Sequence, residues 1–373
     1  MTDPIYVTKP FLPPLEEFQP YLEQIWRSGI LTNSGPFHQR LEAELRDFLD
    51  VPAVSLTTNG ALALEIAIEM AELEGEVITT PYSFVATVHA SARSRLKPVF
   101  ADISPDDFNI DPAAVERAIT PDTRAIVAVH CYGNPCDVEA LEAIATRHGL
   151  RVIYDAAHAF GVRYKERSLL SWGDASILSF HATKSYNTFE GGAVITPDAE
   201  AKAQVDRLKN FGIASDIDIP AIGTNAKMSE INAAFGCLQL LHYPRIHGER
   251  RRVDALYRER LADMPGIEAL PIPADTEPNF SYFPVLVGEA FGRPRDELFE
   301  ALKAENIFSR RYFFPLLSNL PMYRDTPSAA REALPVANDV AERILCLPIY
   351  PDLFDDQVDR IVDAIRRARG GRN

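Results

Sequence analysis

Between about residues 50 and 200 the chain alternates short apolar runs with helix-patterned stretches, and nothing else in the sequence limits the fold as tightly. The runs at 54–58, 76–80, 98–103, 125–130, 152–155, 175–180 and 191–196 are rich in Val, Ile and Ala. The segments 61–65, 112–119 and 137–148 between them carry helical spacing. Unbroken apolar runs separated by helices predict an α/β fold, a mixed but mostly parallel sheet flanked by helices. Such sheets bind ligands beyond the carboxyl ends of their strands, and Asn59, Asp155 and Lys184 all fall there.

Lys184 ends the stretch Ser179-Phe180-His181-Ala182-Thr183-Lys184, just past one of the apolar runs. Asp155 ends another, Val152-Ile153-Tyr154-Asp155. Taken singly, a loop lysine is usually a solvated charge and a strand-end aspartate usually a helix cap. Together they offer what pyridoxal phosphate (PLP) requires, an amine to bond its aldehyde carbon and an anion for its pyridinium nitrogen.

The neighbouring residues carry a resemblance. With Asp155-Ala156-Ala157-His158-Ala159-Phe160-Gly161 upstream and Glu190-Gly191-Gly192-Ala193 downstream, the chain resembles the sugar aminotransferases of the DegT/DnrJ/EryC1/StrS family, within the fold-type I PLP-dependent transferases, from about residue 6 to about residue 353. The resemblance implies a large PLP-binding domain, 1–245 with its N-terminal arm, and a small C-terminal domain, 246–373. Read from the residues, that C-terminal part has a charged helix from about 247, short strands within 282–287 and 345–351, and a helix at 295–305, an α+β arrangement. The tail 366–373 reads as frayed and basic.

Site residues carry over position by position. Lys184 is the catalytic amine and Asp155 the partner of the ring nitrogen. His158 stands where relatives place a group near the ring oxygen, although a buried structural histidine fits the residue equally well. Gly60 and Ala61 open a helix whose N-terminal N–H groups suit a phosphate. Relatives usually carry threonine at position 61, so here only backbone donors are expected, with Ser179 supplying a hydroxyl. The helix expected after 76–81 begins with Tyr82-Ser83-Phe84, and Phe84 is the aromatic expected against the pyridine face, Tyr82 the less favoured one. Asn225 matches the asparagine that crosses a dimer interface to the partner's phosphate; its ordinary alternative is a loop or capping amide. Thr32 and Asn33 lie in a loop the family places beside the active site. Arg310, Arg311 and Tyr312 offer groups for a nucleotide diphosphate, or simply a solvated surface.

Composition removes other classes. A formal net charge of -15 argues against a nucleic-acid surface, which needs clustered Lys and Arg. No apolar window approaches the roughly 18 residues of a membrane span, and the start lacks the basic and apolar regions of a signal peptide, so a cytoplasmic protein is expected. The four cysteines have no CxxC pairing, which leaves neither a metal site nor a disulfide framework; buried thiols are expected. The resemblance implies a homodimer with shared active sites, an amino-acid donor such as L-glutamate, and a nucleotide-linked keto-deoxysugar acceptor, with dTDP-4-keto-6-deoxyglucose favoured. A 3-keto sugar aminotransferase is the alternative, followed by a non-catalytic PLP-binding regulatory protein. The related dehydratases replace the lysine with histidine, and Lys184 counts against them.

Overall fold

A computed structural model describes residues 3–370. Seven strands make its main sheet: β1 (Ala53–Thr57), β2 (Glu76–Thr79), β3 (Lys97–Phe100), β4 (Thr123–Val129), β5 (Arg151–Asp155), β6 (Ala175–Ser179) and β7 (Gly192–Thr196). They lie in the order β1-β7-β6-β5-β4-β2-β3. Strands β6, β5, β4, β2 and β3 are parallel, and β7 runs antiparallel to both its neighbours.

Alternation of side chains across the pleat feeds two cores. Two helices, α1 (Leu15–Ser28) and α2 (Pro36–Leu49), precede the sheet. Along β4, Ala125 and Val127 pack on one face with Ala63 and Ile66 of α3 (Gly60–Met70), Ala90 of α4 (Ala86–Arg93) and Val205 of α5 (Ala199–Leu208). Ile126 and Ala128 pack on the other face, in a core that includes Leu41 and Leu45 from the helix Pro36–Leu49 and Leu141 from the helix Val138–His148. Covered on both sides, β1 and β7 are buried at every residue, and the polar ones in β1 are satisfied: Ser55 Oγ donates to Asp206 Oδ1 at 2.9 Å and Thr57 Oγ1 to the Asn59 carbonyl at 3.0 Å.

The helical stretches on either side of Pro244 are one helix, α6 (Glu230–Leu261), 32 residues and about 48 Å long. Proline removes the N–H bond to the Leu240 carbonyl and ordinarily signals a break. Packing on both sides carries the helix through. Tyr243 Oη donates to the Phe160 carbonyl at 3.2 Å, Ile246 is buried, and His247 Nε2 meets the Pro278 carbonyl at 2.9 Å. Position 245/246, where the sequence suggests a domain division, therefore lies inside α6.

The far half of α6 joins a second layer. Strands β8 (Ile267–Ala269), β9 (Phe283–Val287) and β10 (Ile344–Leu347) form an antiparallel sheet in the order β8-β9-β10. Val253 and Tyr257 of α6 meet Val285, Leu298 and Leu302 of α7 (Arg295–Ala304), and Val358 and Ile361 of α8 (Asp355–Gly370) in one core. Ile5 of the N-terminal arm is fully buried in this same core, and Ile5–Tyr6 pairs in parallel with Ile307–Phe308. The tail does not fray at 366. Helix α8 continues to Gly370, with Arg366 paired to Asp363 at 2.9 Å and Arg367 to Glu305 at 2.6 Å; 371–373 lie outside the described residues. No helix among the described residues is long and apolar enough to cross a membrane.

Candidate active site

The carboxyl ends of β5 and β6 and the start of α3 open on one cleft of about 520 Å³, within the usual range for small-molecule sites. Asn59 caps α3, its Oδ1 accepting the Leu62 N–H at 2.9 Å while its carbonyl accepts the Ala63 N–H at 3.1 Å. The N–H groups of Gly60 and Ala61, on the cleft wall, have no acceptor among the described residues. Here the chain needs close approach. A Cβ at Gly60 would sit 2.8 Å from Ser179 Cβ, and one at Gly192 would sit 2.6 Å from the Asn59 carbonyl carbon. Two unpaired N–H groups at a helix N-terminus, with a serine beside them, form a cradle suited to a phosphate.

Asp155 is 7% exposed and lines the same cleft. Its Oδ2 accepts from Thr87 Oγ1 at 2.7 Å and its Oδ1 from the Ala157 N–H at 3.1 Å. Burial raises its pKa, opposed by those two bonds and by the Lys184 charge. No ion pair reaches Asp155 among the described residues. A buried carboxylate held in place without a cation is a slot for one, such as a protonated pyridine nitrogen.

His158, 6% exposed, accepts the Tyr132 N–H at Nδ1 over 3.2 Å. Burial, then the neighbouring Lys184 charge, pushes its pKa well down, so the ring is neutral with its proton on Nε2. Its ring lies parallel to Phe313, centroids 5.9 Å apart. Lys184 Nζ donates to Tyr282 Oη at 3.2 Å. Burial lowers the lysine to about 8, while Asp155 and Tyr312 pull the other way.

Gly60, Ala61, Phe84, Asp155, His158, Ser179, Lys184 and Tyr312 thus meet in one cleft. Phe84 reaches it from a turn, because α4 begins only at Ala86. Thr80 Oγ1 accepts the Tyr82 N–H at 3.0 Å and bends the backbone first. Tyr82 is no candidate; it is fully buried, bonded to Tyr132 Oη at 2.6 Å and to the Tyr312 carbonyl at 3.0 Å. The remaining expected residues stay outside the cleft of their own chain. Arg311 pairs with Asp296 at 2.9 Å and lies over Phe299. Arg310 is exposed, as are Thr32 and Asn33. Asn225 is exposed too, its Oδ1 accepting from Lys227 Nζ at 2.8 Å. Sequence reasoning missed Thr87, Tyr282, Phe313, His181, Thr183 and Glu190. His181 and Thr183 flank the lysine and were open to inspection; Tyr282 comes from a distant segment with no local sign of its role.

These residues fit PLP: a phosphate cradle, an anionic slot and an amine with a depressed pKa share one cleft. A fold-type I PLP-dependent transferase is the class that this fold and cleft define. Comparison with known proteins narrows it, since the model of the DegT/DnrJ/EryC1/StrS aminotransferase family matches residues 15–366, and the chain belongs to that family. It is a PLP-dependent aminotransferase. It is 52% identical over 358 residues, 96% of each chain, to a dTDP-4-amino-4,6-dideoxy-D-glucose transaminase of Escherichia coli. It is 34% identical over 341 residues, 89% of this chain and 87% of the other, to a dTDP-3-amino-3,4,6-trideoxy-alpha-D-glucose transaminase of Streptomyces venezuelae. The crystal structure of DesI in the presence of its TDP-sugar product superposes with a TM-score of 0.95 at 40% identity, covering 100% of this chain and 95% of that one.

Proposed function

We propose that the protein moves an amino group from L-glutamate to C4 of dTDP-4-keto-6-deoxyglucose, giving dTDP-4-amino-4,6-dideoxy-D-glucose. The observation that carries this reading is the 52% identity, over 96% of both chains, to a transaminase named for that amino sugar. The relative named for a 3-amino sugar stands well below it, at 34%.

Bound PLP supplies an electron sink for the bond broken at the donor's α carbon. The protein's own residues do the rest. Asp155 gives the protonated ring nitrogen its anion, and opposite charge in contact keeps that nitrogen protonated. Gly60 and Ala61 N–H and Ser179 Oγ hold the phosphate. Phe84 and His158, both on the cleft wall, would flank the ring, with His158 Nε2–H the donor available to its oxygen. Lys184 Nζ, with its pKa of about 8, is neutral often enough near neutral pH to take the proton from the donor's α carbon. In the return direction it delivers a proton to C4 of the sugar. Tyr312 and Phe313 narrow the cleft and limit water.

Asn225, Thr32 and Asn33, exposed on one chain, complete the cleft of a partner subunit in a homodimer. Arg310, exposed near Tyr312, meets the nucleotide diphosphate. The reaction belongs in the cytoplasm, where nucleotide sugars are made. The test is to supply the PLP-loaded protein with glutamate and dTDP-4-keto-6-deoxyglucose and locate the new C–N bond by NMR. Amination at C4 with release of 2-oxoglutarate is expected, and none from Lys184→Ala. A product aminated at C3, or no product from a protein that carries the cofactor, refutes the assignment.

A further inference from the structure

We propose that Tyr282 is a catalytic residue of this cleft, the hydrogen-bond partner that aims the Lys184 amine and stays bonded to it whether that amine is charged or neutral. The two atoms are 3.2 Å apart, and Tyr282 Oη has no other partner among the described residues. A phenol serves both protonation states. Its oxygen accepts from an ammonium, and its O–H donates to the lone pair of a neutral amine. Burial raises the phenol's own pKa, so it keeps its proton and does not compete with the lysine as a base.

The surroundings hold the phenol to this task. Its ring is boxed by His158, Tyr132 and Tyr312, at centroid distances of 4.8, 5.6 and 6.0 Å. The residues next in sequence repeat the contact, Ser281 Oγ donating to Ser185 Oγ at 3.2 Å. Two adjacent pairs, 184 with 282 and 185 with 281, therefore latch the lysine loop to the segment entering β9. Arg250 fixes that segment from beneath. It is buried, with no carboxylate partner among the described residues, its Nη1 donating to the carbonyls of Phe280 at 3.3 Å, Ser281 at 3.2 Å and Ile349 at 3.2 Å. The other groups facing the amine are Asp155 and Tyr312, which favour its charge, and His158, which is neutral.

Removing the hydroxyl costs the ammonium more than the free amine, because charge-assisted hydrogen bonds are the stronger kind. Tyr282→Phe then moves the Lys184 midpoint down, by about one pH unit, and frees Nζ to leave its productive direction. The inference rests on Lys184 being the reactive amine, so wild type, Tyr282→Phe and Lys184→Ala are compared. Cofactor-free protein is mixed with PLP from about pH 6 to about pH 10 and the captured cofactor is trapped by borohydride. Turnover and melting temperature are measured alongside. The expected result for Tyr282→Phe is a capture-rate midpoint shifted down by about one unit, kcat lower by about tenfold or more, KM for glutamate nearly unchanged, and an unaltered melting temperature. An unmoved midpoint overturns the inference, whether kcat is retained or falls only in step with lost stability, since a merely structural tyrosine would behave that way. If Lys184→Ala captures PLP as wild type does, the lysine assignment fails and this inference falls with it. If only Tyr282→Phe behaves as wild type, the lysine assignment stands and the tyrosine alone is refuted.

Discussion

Substituting Thr87 by valine tests how the cleft keeps Asp155 charged. Thr87 is fully buried and its one hydroxyl hydrogen goes to Asp155 Oδ2 at 2.7 Å, so the hydrogen in the 2.8 Å contact with Ser83 comes from Ser83. Valine keeps the shape and deletes the donor. A hydrogen bond to a charged group contributes about 1.5–3 kcal/mol, and one pKa unit corresponds to about 1.4 kcal/mol, so the Asp155 pKa, already raised by burial, rises by about one to two further units. Only the carboxylate partners a pyridinium, so affinity for PLP falls as pH drops through that pKa. In Thr87→Val this acid limb lies about one to two units higher, while Thr87→Ser restores it. Fluorescence titration of the cofactor-free protein at a series of pH values measures it. Stability moves with the opposite slope: a carboxyl whose folded pKa exceeds its unfolded one stabilises the fold while protonated, and that stability is lost as pH rises through the folded value. Cofactor-free Thr87→Val should therefore lose more melting temperature at about pH 8 than at about pH 5. Acid limbs that superimpose for wild type and Thr87→Val would refute the reasoning.

Two further substitutions probe the cradle and the subunit boundary. Gly60→Ala forces a Cβ to 2.8 Å from that of Ser179; overpacking should cost about 1–3 kcal/mol in thermal unfolding and weaken PLP binding by about tenfold or more in equilibrium dialysis. Unchanged PLP affinity in a destabilised variant would remove the phosphate from α3. If Asn225 serves the partner's site, Lys184→Ala and Asn225→Asp, each inactive alone, should regain about a quarter of wild-type activity after unfolding and refolding together, because half the dimers would be mixed and carry one intact site. No recovery, with mixed dimers shown by mass spectrometry, would place Asn225 outside the shared site.

The strands of the main sheet, the carboxylate at the end of β5, the lysine after β6 and the capped turn before α3 were all legible because each is written locally. Strands buried on both faces are mostly apolar, and ligands of such sheets bind beyond the strands' carboxyl ends. Local rules failed where distant packing prevailed. The expected domain boundary at 245/246 falls in mid-helix, because Tyr243, Ile246 and His247 anchor α6 on both sides of Pro244. The partner of Arg311, Asp296, is likewise set by packing and not by spacing.

The sequence by itself determined the α/β class and offered the lysine and aspartate proposed for PLP, because hydrophobic periodicity and strand-end residues need only nearby chain to be read; the aminotransferase chemistry came from the resemblance that the motifs around those two residues carry. Tertiary structure alone decided what tunes those groups. Thr87 reaches Asp155 and Tyr282 reaches Lys184 only after the sheet and the C-terminal segment have packed together. Burial shifts a pKa, and a hydrogen bond aims an atom, according to distances in space that residue spacing does not encode.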